Sequence, residues 1–132
     1  MANIVITGAA GNLGSAVVEK LLAEGHHLDV TVGPEHDPET FIGDRDMHAA
    51  KVDLTDEEAV QQYVQELTQK HDTIDAAILL VGGFAMGDIH KTDGAQLRKM
   101  YSLNFETAYF MARPLFEVFE KHFSDGNADL NL

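Results

Sequence analysis

The feature that most restricts the fold of this chain is its opening stretch, NIVITGAAGNLGSAVVEKLLAEG, Asn3 to Gly25. Asn3–Thr7 is short, β-branched and closed by Gly8, the pattern of a buried strand. Leu13, Val17, Val18, Leu21 and Leu22 recur at helical spacing. They predict a helix over Ser15–Leu22, with Gly25 as its C′ residue. A strand, a glycine-spaced turn and a helix thus follow one another at the start.

The rest of the chain continues the alternation. Leu28–Val32 (LDVTV) reads as a second strand, and Gly33–Met47, with two of the three prolines, as a loop with at most one helical turn. Ala49–Asp53 (AAKVD) is a weaker third strand. Thr55, followed three residues later by Glu58, has the form of a capping box opening a helix over Asp56–Lys70. Val60, Val64 and Leu67 mark its inner face, with Tyr63 beside them. Ile74–Val81 (IDAAILLV) is a fourth strand, apolar on both faces in its second half as a central parallel strand would be. Gly82 and Gly83 break it. A helical region then runs from Asp93 to about His122, and Pro114 inside it is expected to kink or divide it. The order β-α-β-loop-β-α-β-α argues for an α/β protein with a doubly wound parallel sheet.

With 132 residues the chain can bury one core. Residues 1–123 read as a single domain and 124–132 as a polar tail. Cysteine is absent, which excludes disulfides and thiolate metal sites and leans toward a cytoplasmic setting, and no export signal is expected. A net charge of −13 makes nucleic acid and anionic membrane poor partners. The seven histidines are scattered without metal-ligand spacing, so no metal site is expected.

Gly8, Gly11 and Gly14 form G-x-x-G-x-x-G between strand and helix. The first permits a tight turn, the second lets backbone approach a pyrophosphate, and the third lets the helix pack closely on the strand. Backbone amides and a helix dipole hold phosphate without Lys or Arg, which suits an acidic chain. A β-α turn without a ligand would use similar glycines.

Thr7-Gly8-Ala9-Ala10-Gly11-Asn12-Leu13-Gly14 resembles the cofactor turn of the short-chain dehydrogenase/reductases, in its TGxxGxxG variant. Asp53 and Leu54 resemble that family's Asp-apolar pair reading adenine. Gly82 and Gly83 resemble the second half of its Asn-Asn-Ala-Gly motif. Asn104 matches the Asn of its long fourth helix, which helps order a water in the proton relay. The resemblance, over about residues 3 to 123, implies a Rossmann-like fold of strand order 3-2-1-4, truncated after the fourth strand and fourth helix. It also implies an oxidoreductase that binds NAD or NADP. The implied cofactor-binding residues are Thr7, Gly8, Gly11, Asn12, Leu13, Gly14, Asp53, Leu54, Gly82 and Gly83, with Asn104 the one catalytic position present.

Departures accompany the match. Leu80 and Val81 stand where the family has its asparagines. Val32-Gly33 ends the second strand with neither an acid for a ribose 2′-hydroxyl nor an Arg for a 2′-phosphate, which leaves NAD against NADP open. No Tyr-x-x-x-Lys, the family's proton-donating pair, occurs; Tyr109-Phe-Met-Ala-Arg113 is its nearest imitation. The chain is therefore expected to bind a dinucleotide and to be inactive alone. The alternative is a non-catalytic dinucleotide-sensing or protein-association module. A methyltransferase would also use a glycine turn, but it wants an acid where Val32 stands. The fourth strand is left with an apolar edge that the tail Ala128–Leu132, the last helix or a second copy should cover. Phe105, Phe110, Phe116, Phe119 and Phe123 exceed what one core face can use, so a homodimer through helix 100–122 is expected.

Overall fold

A computed structural model describes residues 1–126. The strands are β1 (Asn3–Thr7), β2 (His27–Val32), β3 (His48–Lys51) and β4 (Ala76–Leu79), and the helices are α1 (Asn12–Ala23), α2 (Pro38–Ile42), α3 (Glu57–Lys70), α4 (Gly94–Tyr101) and α5 (Thr107–Gly126). The sheet is parallel throughout, in the order β3-β2-β1-β4. The parallel sheet expected from the alternation, and the 3-2-1-4 order implied by the resemblance, are the observed ones.

Alternation along β1 divides the core in two. Ile4 and Ile6 join Val18 of α1, with Leu28, Val30 and Met47, on one face. Val5 joins Val60, Val64 and Leu67 of α3 and Met111 and Leu115 of α5 on the other. Both faces of the sheet are therefore buried, which is why its strands read as apolar runs. Tyr63 sits in the second cluster, and burial holds its hydroxyl proton far more tightly than usual, with Asp29 and Glu66 adding to the effect.

Several boundaries differ from expectation, each for a local reason. β4 is only Ala76–Leu79, because β1 ends at Thr7, the partner of Leu79. β3 stops at Lys51, which leaves Asp53 and Leu54 beyond the strand. The cap of α3 is Asp56, whose carboxylate accepts from the amides of Glu58 and Ala59; Thr55 instead donates its hydroxyl to Asp53 at 2.6 Å. The loop after β2 holds the five-residue α2, capped by Asp37. The Thr40 hydroxyl and amide hold the Asp37 carboxyl below the usual carboxylate range. That cap is present above the ordinary carboxylate value and is lost as pH falls through the lowered one.

Pro114 does not divide the last helix; α5 runs through it to Gly126. The division lies earlier, at a π turn over Ser102–Glu106 that separates α4 from α5. Asn104 explains it. Its side-chain amide takes the Met100 carbonyl at 2.9 Å, the acceptor that a regular helix would give to the backbone N–H of Asn104. The ladder slips by one, and the Thr107 amide reaches back to the Ser102 carbonyl. The tail segment Ala128–Leu132, expected as one cover for β4, lies outside the described residues.

Asp29 is the one buried carboxylate among the described residues. Lys70 meets it at 2.8 Å and His71 at 2.6 Å, so the end of α3 is tied to β2 by charge. Asp29→Ala should lower stability by about 2 kcal/mol, less than a fully buried pair would lose because Lys70 is half in solvent. Urea unfolding midpoints read this; a loss under about 0.5 kcal/mol would show the triad to be idle.

Candidate functional site

The carboxyl ends of β1, β2 and β4 meet at the glycine turn. Gly8 takes φ +70°, which only glycine accepts without strain, and a Cβ there would lie 2.9 Å from the Leu80 carbonyl carbon. At Gly14 a Cβ would come within 2.1 Å of the Gly8 carbonyl oxygen and 2.8 Å of the Ala9 Cα. Both glycines are required by close packing of backbone on backbone. Gly11 differs. Its nearest neighbour would be the Gly8 oxygen at 3.5 Å, an ordinary contact, and its backbone is extended.

The turn is tied to its surroundings on both sides. The Ala9 amide donates to the Thr31 carbonyl of β2 at 3.3 Å. The Thr7 hydroxyl, buried, accepts from the Leu80 amide at 3.2 Å. Thr7 thus clamps the ends of β1 and β4 together through backbone, although Leu80 carries no polar side chain.

The start of α1 is distinctive. Asp37, Asp56 and Asp93 cap α2, α3 and α4 with their carboxylates. Gly11 caps α1 with no side chain, and no acid lies in the first turn. The amides of Asn12, Leu13 and Gly14 begin the helix without a side-chain acceptor, and they carry its positive dipole end. Asn12 and Leu13 are exposed. A helix start of this kind, with free amides and no acid beside them, can accept an anion.

The other candidate residues divide. Asp53 is exposed beyond β3, one oxygen held by the Thr55 amide and hydroxyl. Leu54 is buried in the core with Val60 and Met111, away from solvent. Gly82 and Gly83 pack against the π turn: a Cβ on Gly82 would meet the Asn104 Oδ1 at 2.8 Å, and one on Gly83 the Leu103 side chain at 2.8 Å. Asn104 itself grips Gly83 twice, accepting from its amide and donating to its carbonyl, both at 3.0 Å. Asn104 thereby fixes the exit of β4 to the helix that follows.

A sizeable cleft lies elsewhere. It holds about 820 Å³ between the distal halves of α3 and α5, lined by Gln61, Val64, His71, Arg113, Val118 and Lys121. No group of three or more His, Asp or Glu among the described residues is placed to hold a metal ion, and no helix there is long and apolar enough to cross a membrane.

Residues 2–127 match the family model described as short chain dehydrogenase. The chain is 28% identical over 122 residues to sorbitol-6-phosphate 2-dehydrogenase of Klebsiella pneumoniae, covering 83% of this chain and 44% of that protein. It is 25% identical over 119 residues to acetoacetyl-CoA reductase of Acinetobacter sp. (strain RA3849), covering 85% and 48%. The chain thus spans a little under half the length of these curated relatives. Among solved structures, an NADH-dependent reductase A1-R′ complexed with NAD superposes with a TM-score of 0.81 at 21% identity, covering 94% of this chain and 54% of that one. ElxO with NADP bound gives 0.80 at 20% identity, covering 91% and 51%. The likeness is one of fold.

Gly14→Ala should be strongly destabilised, because the clash is with fixed backbone and overpacking costs up to about 3 kcal/mol and occasionally more. Gly11→Ala should fold with a melting temperature within a few degrees of the parent. Circular dichroism melts of the two variants side by side check the contrast.

Proposed function

The chain belongs to the short chain dehydrogenase family, and on that footing we propose that these 132 residues bind NAD or NADP across the carboxyl ends of the sheet. The observation that carries the reading is the uncapped start of α1 behind Gly11, in a chain whose other capped helices all use aspartate. The amides of Asn12, Leu13 and Gly14 would hold the pyrophosphate, and Thr7, Gly8 and Gly14 set their position. Asp53, exposed and half engaged by Thr55, is the polar group left for the adenine side. Leu54 supports that side from the core. Gly82 and Gly83, held by Asn104, would form the wall on the β4 side.

The dinucleotide supplies hydride chemistry when bound. This chain's own residues bind and orient, and they hold no Tyr-x-x-x-Lys to deliver a proton. Asn104, the family's relay position, has its side chain spent on Gly83 and Met100. The 132 residues are therefore a cofactor-binding unit, inactive by themselves. The replacement of the family's asparagines by Leu80 and Val81 favours a second reading, in which the unit senses a dinucleotide or serves protein association.

Association has its own support. Tyr101, Phe105 and Tyr109 stack in sequence, with centroids 5.2 and 6.2 Å apart, and each is about half exposed. Phe116 and Phe123 continue at seven-residue spacing from Tyr109, at 64% and 50% exposure. Eight residues separate Tyr101 from Tyr109, but the π turn absorbs one, so the stripe keeps a heptad phase across both helices. A second copy presenting the same stripe would bury it. Sedimentation at micromolar concentration should give a dimer and Phe116→Glu a monomer; a monomeric parent at that concentration removes the homodimer.

Calorimetric titration with NAD(H) and NADP(H) should show binding of at least one, without carbonyl reduction by the same material. Gly11→Ala should weaken it roughly tenfold, since a methyl group displaces phosphate from the amides. Affinity should hold or rise as salt screens the −13 net charge, the reverse of a site built on Lys and Arg. A Gly11→Ala variant that bound as tightly as the parent would dismiss the anion site at the start of α1.

A further inference from the structure

The segment leaving β2 rests on the core through Phe41 and Ile42 and is capped by Asp37, and one further side chain that no motif points to ties it to α1. Arg45, between α2 and β3, is only 24% exposed in its side chain. Its Nε donates to the Ile42 carbonyl at 3.2 Å, and its Nη2 donates to the Phe41 carbonyl. These are the last carbonyls of α2, which a helix of five residues cannot satisfy internally. The guanidinium also lies 4.6 Å over the Phe41 ring. Its remaining nitrogen, Nη1, meets Glu19 of α1 at 2.5 Å.

One planar group thus joins the C-terminus of α2 to the middle of α1. The consequence reaches the rim of the candidate site. A helix of five residues has too few internal bonds to persist alone, so its place depends on what anchors it. At its other end, Asp37 caps α2 and closes the loop that starts at Gly33, directly after β2. In sheets of this kind the adenosine half of a dinucleotide lies between the glycine turn and the end of the second strand. Arg45 therefore sets the spacing between the two walls of that half, α1 on one side and residues 33–37 on the other.

We propose that Arg45 is a positioning residue for the adenosine half of the bound nucleotide, acting through α2 and α1 without touching the ligand. This rests on the dinucleotide reading above. Its energetic basis is preorganisation: a loop already fixed in the free protein is not ordered at the expense of binding. Lys could keep the ion pair with Glu19 but not the fork to two carbonyls or the planar stack on Phe41.

The test uses the full chain, with ADP-ribose and inorganic pyrophosphate as calorimetric probes well below the melting temperature. Arg45→Met keeps apolar contact with Phe41 and should weaken ADP-ribose roughly three- to tenfold, leaving pyrophosphate unchanged. Arg45→Lys should fall between it and the parent. Glu19→Gln, which leaves α2 its carbonyl bonds, should weaken ADP-ribose about twofold and guards against misfolding of the Arg45 variants. A lowered melting temperature with ADP-ribose affinity intact would overturn the proposal, as would equal weakening of both probes. A parent chain that binds neither probe would overturn the dinucleotide reading itself.

Discussion

The rest of the structure depends on how closely the first turn of α1 approaches the end of β1. Gly14 lies against the Gly8 carbonyl with no room for a methyl group. That approach sets the path of α1, which then packs Val18 onto Ile4 and Ile6. It also leaves the first amides of α1 facing outward at the carboxyl end of the sheet. A tight turn, a buried face and a positively polarised rim follow from one contact between backbones. With a net charge of −13, that rim is a local exception to the general field of the chain.

Much of this was legible in the sequence because it rests on local chemistry. β-Branched runs gave the strands, helical spacing gave α1 and α3, and Gly25 ended α1 with φ +86° as a C′ glycine does. Legibility stopped where a polar group had two partners to choose between, or a distant one. Thr55 and Asp56 are both good caps; Thr55 turned instead to the Asp53 carboxylate. The π turn depends on Asn104 meeting Gly83, twenty-one residues earlier, and no periodicity displays that. Pro114 carried the stronger local signal for a break, yet α5 accommodates it. Arg45 lay within a charged run, Asp44-Arg45-Asp46, that reads as solvated surface.

The two ends of the sheet are organised by different forces. At the carboxyl end backbone does the binding and fixing: glycine contacts, strand amides on Thr7, and the Asn104 grip on Gly83. At the opposite end, charge does it, with Asp29 held between Lys70 and His71 where α3 returns to the sheet. A buried carboxylate is costly unless paired, and here its partners, the Lys70 ammonium and the His71 ring, come from consecutive residues at a helix C-terminus, where the dipole favours the lysine.

The glycines can be sorted by what forbids a side chain at each. Gly8 and Gly14 are fixed by backbone collisions, so they testify to packing first and would be required of this fold with no ligand present. Gly82 and Gly83 face only the side-chain ends of Asn104 and Leu103, which a methyl group would push aside. Gly11 has no such need: its φ of −72° suits any residue, and a Cβ would rest at 3.5 Å from its nearest atom. A methyl group there would cost the fold little, so packing does not require a glycine at this position.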